Sequence, residues 1–491
     1  MPADAATLPA RPAGMFDRET EWDALVRFTG DPAPGPALGV VSGRRRQGKS
    51  FLLEALTRAT GGFYYDVQEM VEAESLHRLA DRYAAYTGGP APHWTGWQQA
   101  IDALLALGDG RPRTVVIDDF PHLVRQSPVL PSVLHQTALR LGGEHSANRL
   151  RLLVSGPTTT VLRRLFHGPA PLHGLVRLEL EVKPFGFRRA ARFWGIEDPR
   201  LAVQTHTVVG GTPAYRRDYV CDDAPAGPDD FDAWVCRTAL NPRVPLFWES
   251  RRLLEEETDH ADRVLCHSVL AAIATGRTTR GEIAESLALG SVPAVSRALA
   301  LLQDCELLVP EPDAFRQGLN HYGITEPLLA FEHAIAWPHH SALEHESAPE
   351  HQDRAALWQR LRPVFDTALA APHFARLCRQ WALDHAAPDT FGARPASAAA
   401  GEDAQVVLRG TVDGRPGVLL SVGRTNWTDP MDTGDLDRLR RLLDRLAAEG
   451  EDTRAARPAC YGAAGFTPGL RAAEAAGEVV LVDPERLYNG E

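Results

Sequence analysis

The sequence contains almost no lysine. Only Lys49 and Lys183 are lysine among its 52 basic residues, and all the others are arginine. Arginine is a poor replacement where a compact ammonium group must fit a narrow site, because the guanidinium is a wide planar fork. The residues around each lysine therefore indicate whether a function required it.

Long apolar runs and paired cysteines are also missing. No apolar run approaches the roughly 18 residues of a membrane-spanning helix, and the N-terminal residues lack the basic start and apolar stretch of a secretory signal. The six cysteines are scattered and include no C-x-x-C pair. We therefore expect buried thiols in a cytoplasmic protein, rather than disulfides or a zinc site. The net charge of −12 argues against a broad surface for nucleic acid or anionic membranes.

The chain of 491 residues is too long for one hydrophobic core and predicts about three domains. Residues 1–14 are expected to form a flexible tail. Residues 15–195 alternate short apolar strands with helical stretches, which is the pattern of a parallel α/β sheet. The strands predicted within this part are Leu38–Ser42, Gly62–Tyr65, Thr114–Ile117 and Leu150–Ser155.

The rest of the chain is predicted to be mostly helical before it returns to strands. Residues 196–245 look helical, residues 246–326 contain three helical stretches and an extended segment, and residues 327–365 form a helical linker. From residue 366 the pattern is helix, strand, strand, helix, strand, helix, strand, which indicates a second, smaller α/β unit. Within it, the Ala- and Gly-rich stretch 393–401 is predicted to be a mobile loop. One helix should turn a leucine stripe to the core, namely Leu436, Leu439, Leu442, Leu443 and Leu446.

A phosphate-binding pattern follows the first predicted strand. Residues 43–50 read Gly-Arg-Arg-Arg-Gln-Gly-Lys-Ser and fit G-x-x-x-x-G-K-[ST]. Backbone N–H groups of such a loop surround phosphates, while Lys49 should reach the β- and γ-phosphates and Ser50 should bind Mg²⁺. A solvated arginine run is the alternative for residues 44–46. The predicted nucleotide contacts in this segment are Gly43, Arg44, Arg45, Arg46, Gln47, Gly48, Lys49, Ser50 and Phe51.

Polar side chains end two further predicted strands. Asp118 and Asp119 follow the apolar strand that begins at Thr114. Asp118 is expected to complete the Mg²⁺ shell, directly or through water, and Asp119 to polarise the attacking water. Capping or turn aspartates are the alternative interpretation. Ser155 is a candidate for sensing the γ-phosphate or positioning water, and a simple strand-end serine is the alternative.

In this order the motifs resemble those of the archaeal-type P-loop ATPases, which are related to the AAA+ and STAND classes. Residues 16–19, Phe-Asp-Arg-Glu, resemble the family's F-x-x-R-E opening beside the nucleotide base. Residues 115–120 resemble its V-I-D-E-F strand, and residues 180–187 its L-x-P-F-x-F segment before a helical lid. The lid motif G-G-x-P-x-Y resembles residues 210–215. The resemblance implies ATP and Mg²⁺ as cofactors, with Arg18 and Pro213 among the nucleotide contacts.

Two departures from the family pattern bear on the chemistry. The family usually has glutamate where this chain has Asp119, which is one methylene shorter, so hydrolysis is expected to be slow. An arginine often stands where this chain has Leu175, just after Pro-Leu-His-Gly at 171–174, so the arginine finger is unassigned. The candidates, each also interpretable as a surface or ion-pair arginine, are Arg163, Arg164 and Arg177.

The resemblance also implies a winged helix-turn-helix domain over residues 246–326. Its helices would be residues 262–274, 279–287 and 291–303, followed by a wing, and such a unit suggests DNA binding in the major groove. Between Asp259 and Glu306 there are six acidic residues and four basic ones. Phosphate neutralisation dominates DNA affinity, so this balance argues for a structural arm that packs on the ATPase.

Residues 366–491 resemble the family's C-terminal domain, which is similar to PD-(D/E)XK nucleases. The metal-binding positions of that fold correspond here to Ala375, Asp403, Val422 and Arg424. Valine cannot bind a divalent cation and arginine cannot replace the lysine of that site. We therefore expect a nuclease fold without nuclease activity, although another acid such as Asp413 could contribute.

The resemblance and the motifs together predict an α/β protein. It would have a P-loop NTPase parallel sheet with a helical lid, a winged helix-turn-helix domain and a small restriction-endonuclease-like C-terminal domain. The predicted function is Mg²⁺-dependent ATP binding and slow hydrolysis by a conformational switch or regulator, with a protein partner or a second copy as the expected partner and no membrane. The alternatives are a DNA-binding regulator or nucleic-acid-directed ATPase, and a nucleotide-binding scaffold with negligible hydrolysis.

Overall fold

The structure is a computed structural model, and the residues that it describes are 9–141, 146–157, 165, 172, 175–257, 260–287, 292–344 and 352–490. The chain divides into two compact units, with the boundary between Pro184 and Phe185. The predicted α/β fold class is confirmed, because a parallel sheet forms the first unit and helices with a smaller sheet form the second. None of the helices in the described part combines the length and hydropathy that crossing a bilayer requires.

The first unit is a five-stranded parallel sheet with helices in the connections. Across the sheet the strand order is β2-β3-β4-β1-β5, and every neighbouring pair is parallel. The carboxyl ends of β1, β3 and β4 therefore meet at one edge. The strands are β1 (Ala37–Ser42), β2 (Phe63–Asp66), β3 (Arg113–Asp118), β4 (Leu150–Ser155) and β5 (Val176–Glu181). The helices are α1 (Glu19–Gly30), α2 (Lys49–Thr60), α3 (Glu72–Thr87), α4 (Trp97–Ala106), α5 (Phe120–Gln126) and α6 (Leu130–Leu141).

The four predicted strands of this unit are confirmed to within one residue at each end, whereas β5 was not predicted. Strand β5 lies at the edge of the sheet beside β1 and alternates half-buried and exposed residues. Its charged side chains, Arg177, Glu179 and Glu181, interrupt the apolar pattern that marks the central strands. An edge strand with one face in solvent needs no continuous apolar run, so its pattern is weaker.

Arg151 of β4 is buried in this unit and is only 1% exposed. Its guanidinium donates to the carbonyl oxygens of Asp31 and Ala33, both at 2.6 Å, and of Gly35 at 2.9 Å. Burial lowers the pKa of this guanidinium. A single side chain thus donates hydrogen bonds to three carbonyl groups of the loop between α1 and β1. Strand β1 in turn leads to residue 43.

Replacing Arg151 with leucine is expected to destabilise this part of the sheet by about 3 kcal/mol, because three carbonyl groups that are buried or partly buried lose their donor. Hydrogen exchange of the β1 and β4 amides should then be about 100-fold faster. Arg149→Leu, two residues earlier and exposed, is the matched control and should leave the exchange rates nearly unchanged. Equal exchange in the two variants would contradict this role for Arg151.

The second unit begins with helices that lead to a two-stranded hairpin. Strands β6 (Leu308–Pro312) and β7 (Asn320–Ile324) pair antiparallel after three helices. The three helices predicted between residues 262 and 303 are all present, and so is the extended segment predicted after them. The helices up to the hairpin are α7 (Phe187–Trp194), α8 (Pro199–Val209), α9 (Phe231–Arg237), α10 (Pro245–Glu257), α11 (His260–Ala274), α12 (Arg280–Ser286) and α13 (Val292–Asp304).

A mixed five-stranded sheet completes the second unit. Its strand order is β12-β11-β10-β9-β8; β8, β9 and β10 pair antiparallel, and β10, β11 and β12 pair parallel. The strands are β8 (Pro395–Ala399), β9 (Val406–Val412), β10 (Arg415–Asn426), β11 (Arg457–Gly462) and β12 (Val480–Val482). The helices around them are α14 (Pro327–Phe331), α15 (His340–Glu344), α16 (Gln352–Val364), α17 (Ala371–Asp384), α18 (Thr433–Ala448), α19 (Pro468–Ala475) and α20 (Pro484–Asn489).

Two local predictions for this unit were wrong and one was confirmed. The stretch 393–401, predicted to be a mobile loop, contains the edge strand β8, because its backbone pairs with β9 although its small side chains give no strand pattern. Cys221 is exposed, whereas the other five cysteines are the buried thiols expected. The leucine stripe of α18 does face the core.

Candidate nucleotide-binding site

The loop between β1 and α2 has a backbone that requires glycine at two positions. Gly43 has φ +133°, and a Cβ there would lie 2.3 Å from the carbonyl oxygen of Val182. Gly48 has φ +91° and precedes the first residue of α2. A side chain at either position would be strained in this left-handed region. The two glycines of the predicted phosphate pattern are therefore explained by the loop geometry itself.

Lys49 begins α2 and is only 7% exposed. Its ammonium Nζ donates to the carbonyl oxygens of Gly43 at 2.7 Å and Arg44 at 2.8 Å, so it spans the loop from its end to its beginning. A guanidinium fork is too wide for this enclosed position. The geometry thus gives a physical reason for a lysine here in a chain that otherwise uses arginine.

The neighbours of Lys49 present polar groups at the start of α2. Ser50 is exposed on the first turn of α2, where backbone N–H groups and the helix dipole favour an anion. Phe51 is 51% exposed, while Gln47 is buried. The three arginines at 44–46 are half-buried. All these residues lie on one continuous loop and helix start.

Asp118 is the last residue of β3 and is 2% exposed. Its Oδ2 accepts a hydrogen bond of 2.6 Å from the hydroxyl of Tyr64, and its Oδ1 is hydrogen-bonded to the hydroxyl of Ser155, at the end of β4. The structure therefore brings two predicted site residues, Asp118 and Ser155, into direct contact. Tyr64 was not predicted, because nothing in the sequence shows that β2 lies beside β3.

Asp119 follows β3 in the left-handed conformation, with φ 56°. Aspartate tolerates this conformation better than most residues. Its backbone N–H donates to Ser155 Oγ at 3.3 Å and to Asp118 Oδ1 at 3.2 Å. Although Asp119 precedes α5, its carboxylate makes no capping hydrogen bond to the described residues of that helix. Its half-exposed carboxylate is accessible to water beside the buried Asp118.

A further carboxylate, Asp66, stands at the end of β2 and pairs in register with Asp118. The pKa of Asp66 is raised, first by partial burial and then by the charges of Asp118 and Asp119. Negative charge is therefore concentrated at this edge of the sheet. Within the described ranges no group of three or more His, Cys, Asp or Glu residues forms a metal site. Mg²⁺ commonly uses only one or two protein ligands together with substrate phosphates, and the Ser50 hydroxyl with Asp118 fits that mode.

The side chain of Arg18 binds the backbone of the loop between β1 and α2. It has φ 71°, is 7% exposed, and donates to the carbonyl oxygens of Gln47 at 3.1 Å and Lys183 at 2.8 Å. An ion pair of 2.7 Å with Glu21 holds the guanidinium. Arg18 therefore contacts the loop segment just before Lys49.

The other predicted nucleotide contact, Pro213, belongs to the second unit. The segment before it is closely packed, because a Cβ on Gly211 would lie 1.9 Å from the carbonyl oxygen of Phe185. The amide of Phe185 also donates to the Gly211 carbonyl at 2.8 Å. The two segments that resemble the lid motifs, 180–187 and 210–215, are thus joined by backbone contact at Phe185 and Gly211.

The structure describes one of the three candidates for an arginine finger. Arg177 is exposed on the edge strand β5. Arg163 and Arg164 lie outside the described residues, as do Pro171, His173 and Gly174. Leu175 packs against the apolar core on one side of the sheet.

The positions that the resemblance to nucleases assigns, on α17, before β9 and on β10, do not form an acidic site. Ala375 and Val422 are buried, and the Arg424 Nε lies 3.5 Å from the carboxylate of Asp435. Asp403 forms an exposed ion pair with Arg445. Asp413 lies in the β9–β10 turn, six residues from the partner of Val422, or about 20 Å along a strand.

Comparison with solved structures finds distant likenesses. No protein-family model and no curated protein matches the sequence. A Walker-type ATPase of Pyrococcus abyssi is similar with a TM-score of 0.47 and 20% identity, over 67% of this chain and 99% of that chain. The Aeropyrum pernix ORC2 protein, in ADPNP–ADP complexes, is similar with a TM-score of 0.40 and 14% identity, over 73% of this chain and 98% of that chain. The Aeropyrum pernix ORC1 protein in complex with DNA is similar with a TM-score of 0.28 and 17% identity, over 68% of this chain and 95% of that chain.

Proposed function

We propose that the protein binds ATP with Mg²⁺ at residues 43–50 and hydrolyses it slowly. The observation that carries this proposal is the ammonium group of Lys49, held inside a glycine-dependent loop at the start of α2. A helix N-terminus with a buried lysine beside it is suited to bind several phosphate charges at once. The strand ends that carry Asp118 and Ser155 lie at the same edge of the sheet.

Each polar group of the site has a proposed role. Backbone N–H groups of the loop and Lys49 hold the phosphates, and the Ser50 hydroxyl with Asp118 would hold Mg²⁺. When bound, the ion neutralises charge on the phosphate oxygens. Asp119 orients a water molecule and accepts its proton as the water attacks the terminal phosphorus, while the bond from that phosphorus to the β-phosphate oxygen breaks and ADP leaves. Ser155 fixes the carboxylate of Asp118 relative to the backbone of Asp119, because its hydroxyl is hydrogen-bonded to both.

Slow hydrolysis is proposed because of the length of Asp119. Its carboxylate is one methylene shorter than the glutamate that the resemblance places at this position. A reacting group must come within hydrogen-bond distance of the water it activates, and a displacement of about 1 Å can lower a rate about 100-fold. A slow ATPase is suited to a switch, since the ATP-bound state then persists. Pro213 is a further proposed nucleotide contact, because residues 210–215 resemble the lid motif.

A DNA-binding role is less favoured because the β6–β7 hairpin already makes contacts with other parts of the second unit. Glu311 of β6 forms an ion pair of 2.7 Å with Arg379 of α17, and Arg376 donates to the Ile324 carbonyl at 2.6 Å. Beyond β6, the amide of Ala314 donates to the Ala400 carbonyl at 2.9 Å, next to β8. These contacts within the second unit hold the hairpin against α17 and hold its turn against the edge of the C-terminal sheet. We infer a structural arm that supports this sheet rather than a wing that enters a DNA groove.

A turnover assay on the full chain separates the proposed function from its alternatives. We expect Mg²⁺-dependent phosphate release from ATP below the enzyme median of about 10 s⁻¹. DNA should not change the rate, and linear DNA should be recovered uncut. Nucleotide binding without turnover would favour the scaffold. Salt-sensitive stimulation by DNA would favour the nucleic-acid-directed alternative. Failure to bind ATP would rule out the switch, the scaffold and the nucleic-acid-directed ATPase, and would leave only a DNA-binding regulator.

A further inference from the structure

We propose that Tyr64 is a positioning residue that fixes the carboxylate of Asp118 for the magnesium site. The inference rests on the proposed function, since it concerns the same site. Tyr64 lies on β2, directly beside β3, and its backbone pairs with Val116, two residues before Asp118. Its hydroxyl donates to Asp118 Oδ2 at 2.6 Å.

The carboxylate of Asp118 is held from both sides of its strand. In the sheet order, β3 lies between β2 and β4. Tyr64 of β2 binds Oδ2, whereas Ser155 of β4 binds Oδ1. Donors on opposite oxygens stop the carboxylate from rotating about its terminal bond, and hydrogen bonds to an ionised acceptor are stronger than neutral ones.

The direction of this hydrogen bond follows from the two groups that it joins. An ionised carboxylate only accepts hydrogen bonds, so the Tyr64 hydroxyl is the donor in its 2.6 Å contact with Asp118 Oδ2.

The donors to Asp118 leave acceptor capacity for a magnesium-bound water. A carboxylate has about four lone-pair sites, and three of them are occupied by the hydroxyls of Tyr64 and Ser155 and by the backbone N–H of Asp119. The remaining site points in a direction that these donors determine. Groups that orient a metal-binding carboxylate typically change metal affinity by about 10–100-fold when they are removed. We therefore expect the Tyr64 hydroxyl to affect Mg²⁺ binding more than nucleotide binding alone.

The test compares Tyr64→Phe with Tyr65→Phe in the full chain. Tyr65 is the next residue of the same strand, and its hydroxyl donates to the Ser75 carbonyl at 3.2 Å. It is thus a matched loss of one buried phenol hydroxyl away from Asp118. ADP affinity is measured by calorimetry, first in EDTA and then over a Mg²⁺ titration. Tyr64→Phe should need at least about 10-fold more Mg²⁺ for half of the effect on affinity, with ADP binding in EDTA unchanged. Tyr65→Phe should match the wild type.

The outcomes separate a positioning role from a merely structural one. If Tyr64→Phe lowers thermal stability but keeps the wild-type Mg²⁺ dependence, the inference is overturned while the proposed function stands. Equal losses of ADP affinity with and without Mg²⁺ would overturn it too. A wild type that binds no nucleotide would overturn both. Ser155→Ala removes the opposite donor and should shift the Mg²⁺ titration in the same direction, which supports the inference even if Tyr64→Phe folds poorly.

Discussion

Replacing Lys49 with alanine is expected to weaken ATP binding at least about 100-fold. A hydrogen bond to a charged group contributes about 1.5–3 kcal/mol, and this ammonium should serve two phosphates. The variant also loses the links from Nζ to the carbonyl oxygens of Gly43 and Arg44, which hold the loop in its present shape. Equilibrium binding of a fluorescent ATP analogue measures the effect.

The chain provides its own control, because it has one other lysine. Lys183 is exposed and forms a surface ion pair with Glu181 at 3.2 Å. Lys183→Ala also removes one lysine charge and should bind ATP as the wild type does. Lys49→Arg keeps the charge but should still lose most of the affinity, because the guanidinium does not fit between the loop carbonyls. Wild-type affinity in Lys49→Ala would show that the loop is not the nucleotide site.

Replacing Asp119 with asparagine is expected to slow ATP hydrolysis about 100-fold or more, with ATP affinity nearly unchanged. General base catalysis typically contributes about 10²–10⁴-fold, and asparagine cannot accept the proton of the attacking water. The backbone contacts of residue 119 with Ser155 and Asp118 do not use its side chain, so the strand end should persist. Single-turnover phosphate release measures the chemical step separately from product release.

Asp119→Glu tests whether the short side chain limits the rate. We expect faster hydrolysis than in the wild type, because the longer side chain brings the carboxylate closer to the water. The left-handed backbone, with φ 56°, disfavours glutamate more than aspartate and works against this gain. An unchanged rate in Asp119→Asn would remove Asp119 from the mechanism, whatever the effect of Asp119→Glu.

Some features of the site followed from local sequence, and others did not. The pattern of residues 43–50 and the apolar strand before Asp118 are continuous in the chain, so their residue types could be interpreted directly. Tyr64 could not be assigned a role in this way, because its contact with Asp118 joins residues 54 positions apart. Strand β8 was taken for a loop because its small side chains carry no pattern, and only pairing with β9 makes it a strand.

The sequence by itself determined the class of the fold and predicted phosphate binding at residues 43–50, because a phosphate loop depends on glycine, lysine and serine at fixed spacing. The tertiary structure alone decided the order of the strands. That order places Tyr64 and Ser155 on opposite oxygens of Asp118. It also decided that the β6–β7 hairpin contacts α17 through Glu311 and the residue after β8 through Ala314. Such contacts depend on which distant segments become neighbours, and that is set by the packing of the whole unit rather than by any local run of residues.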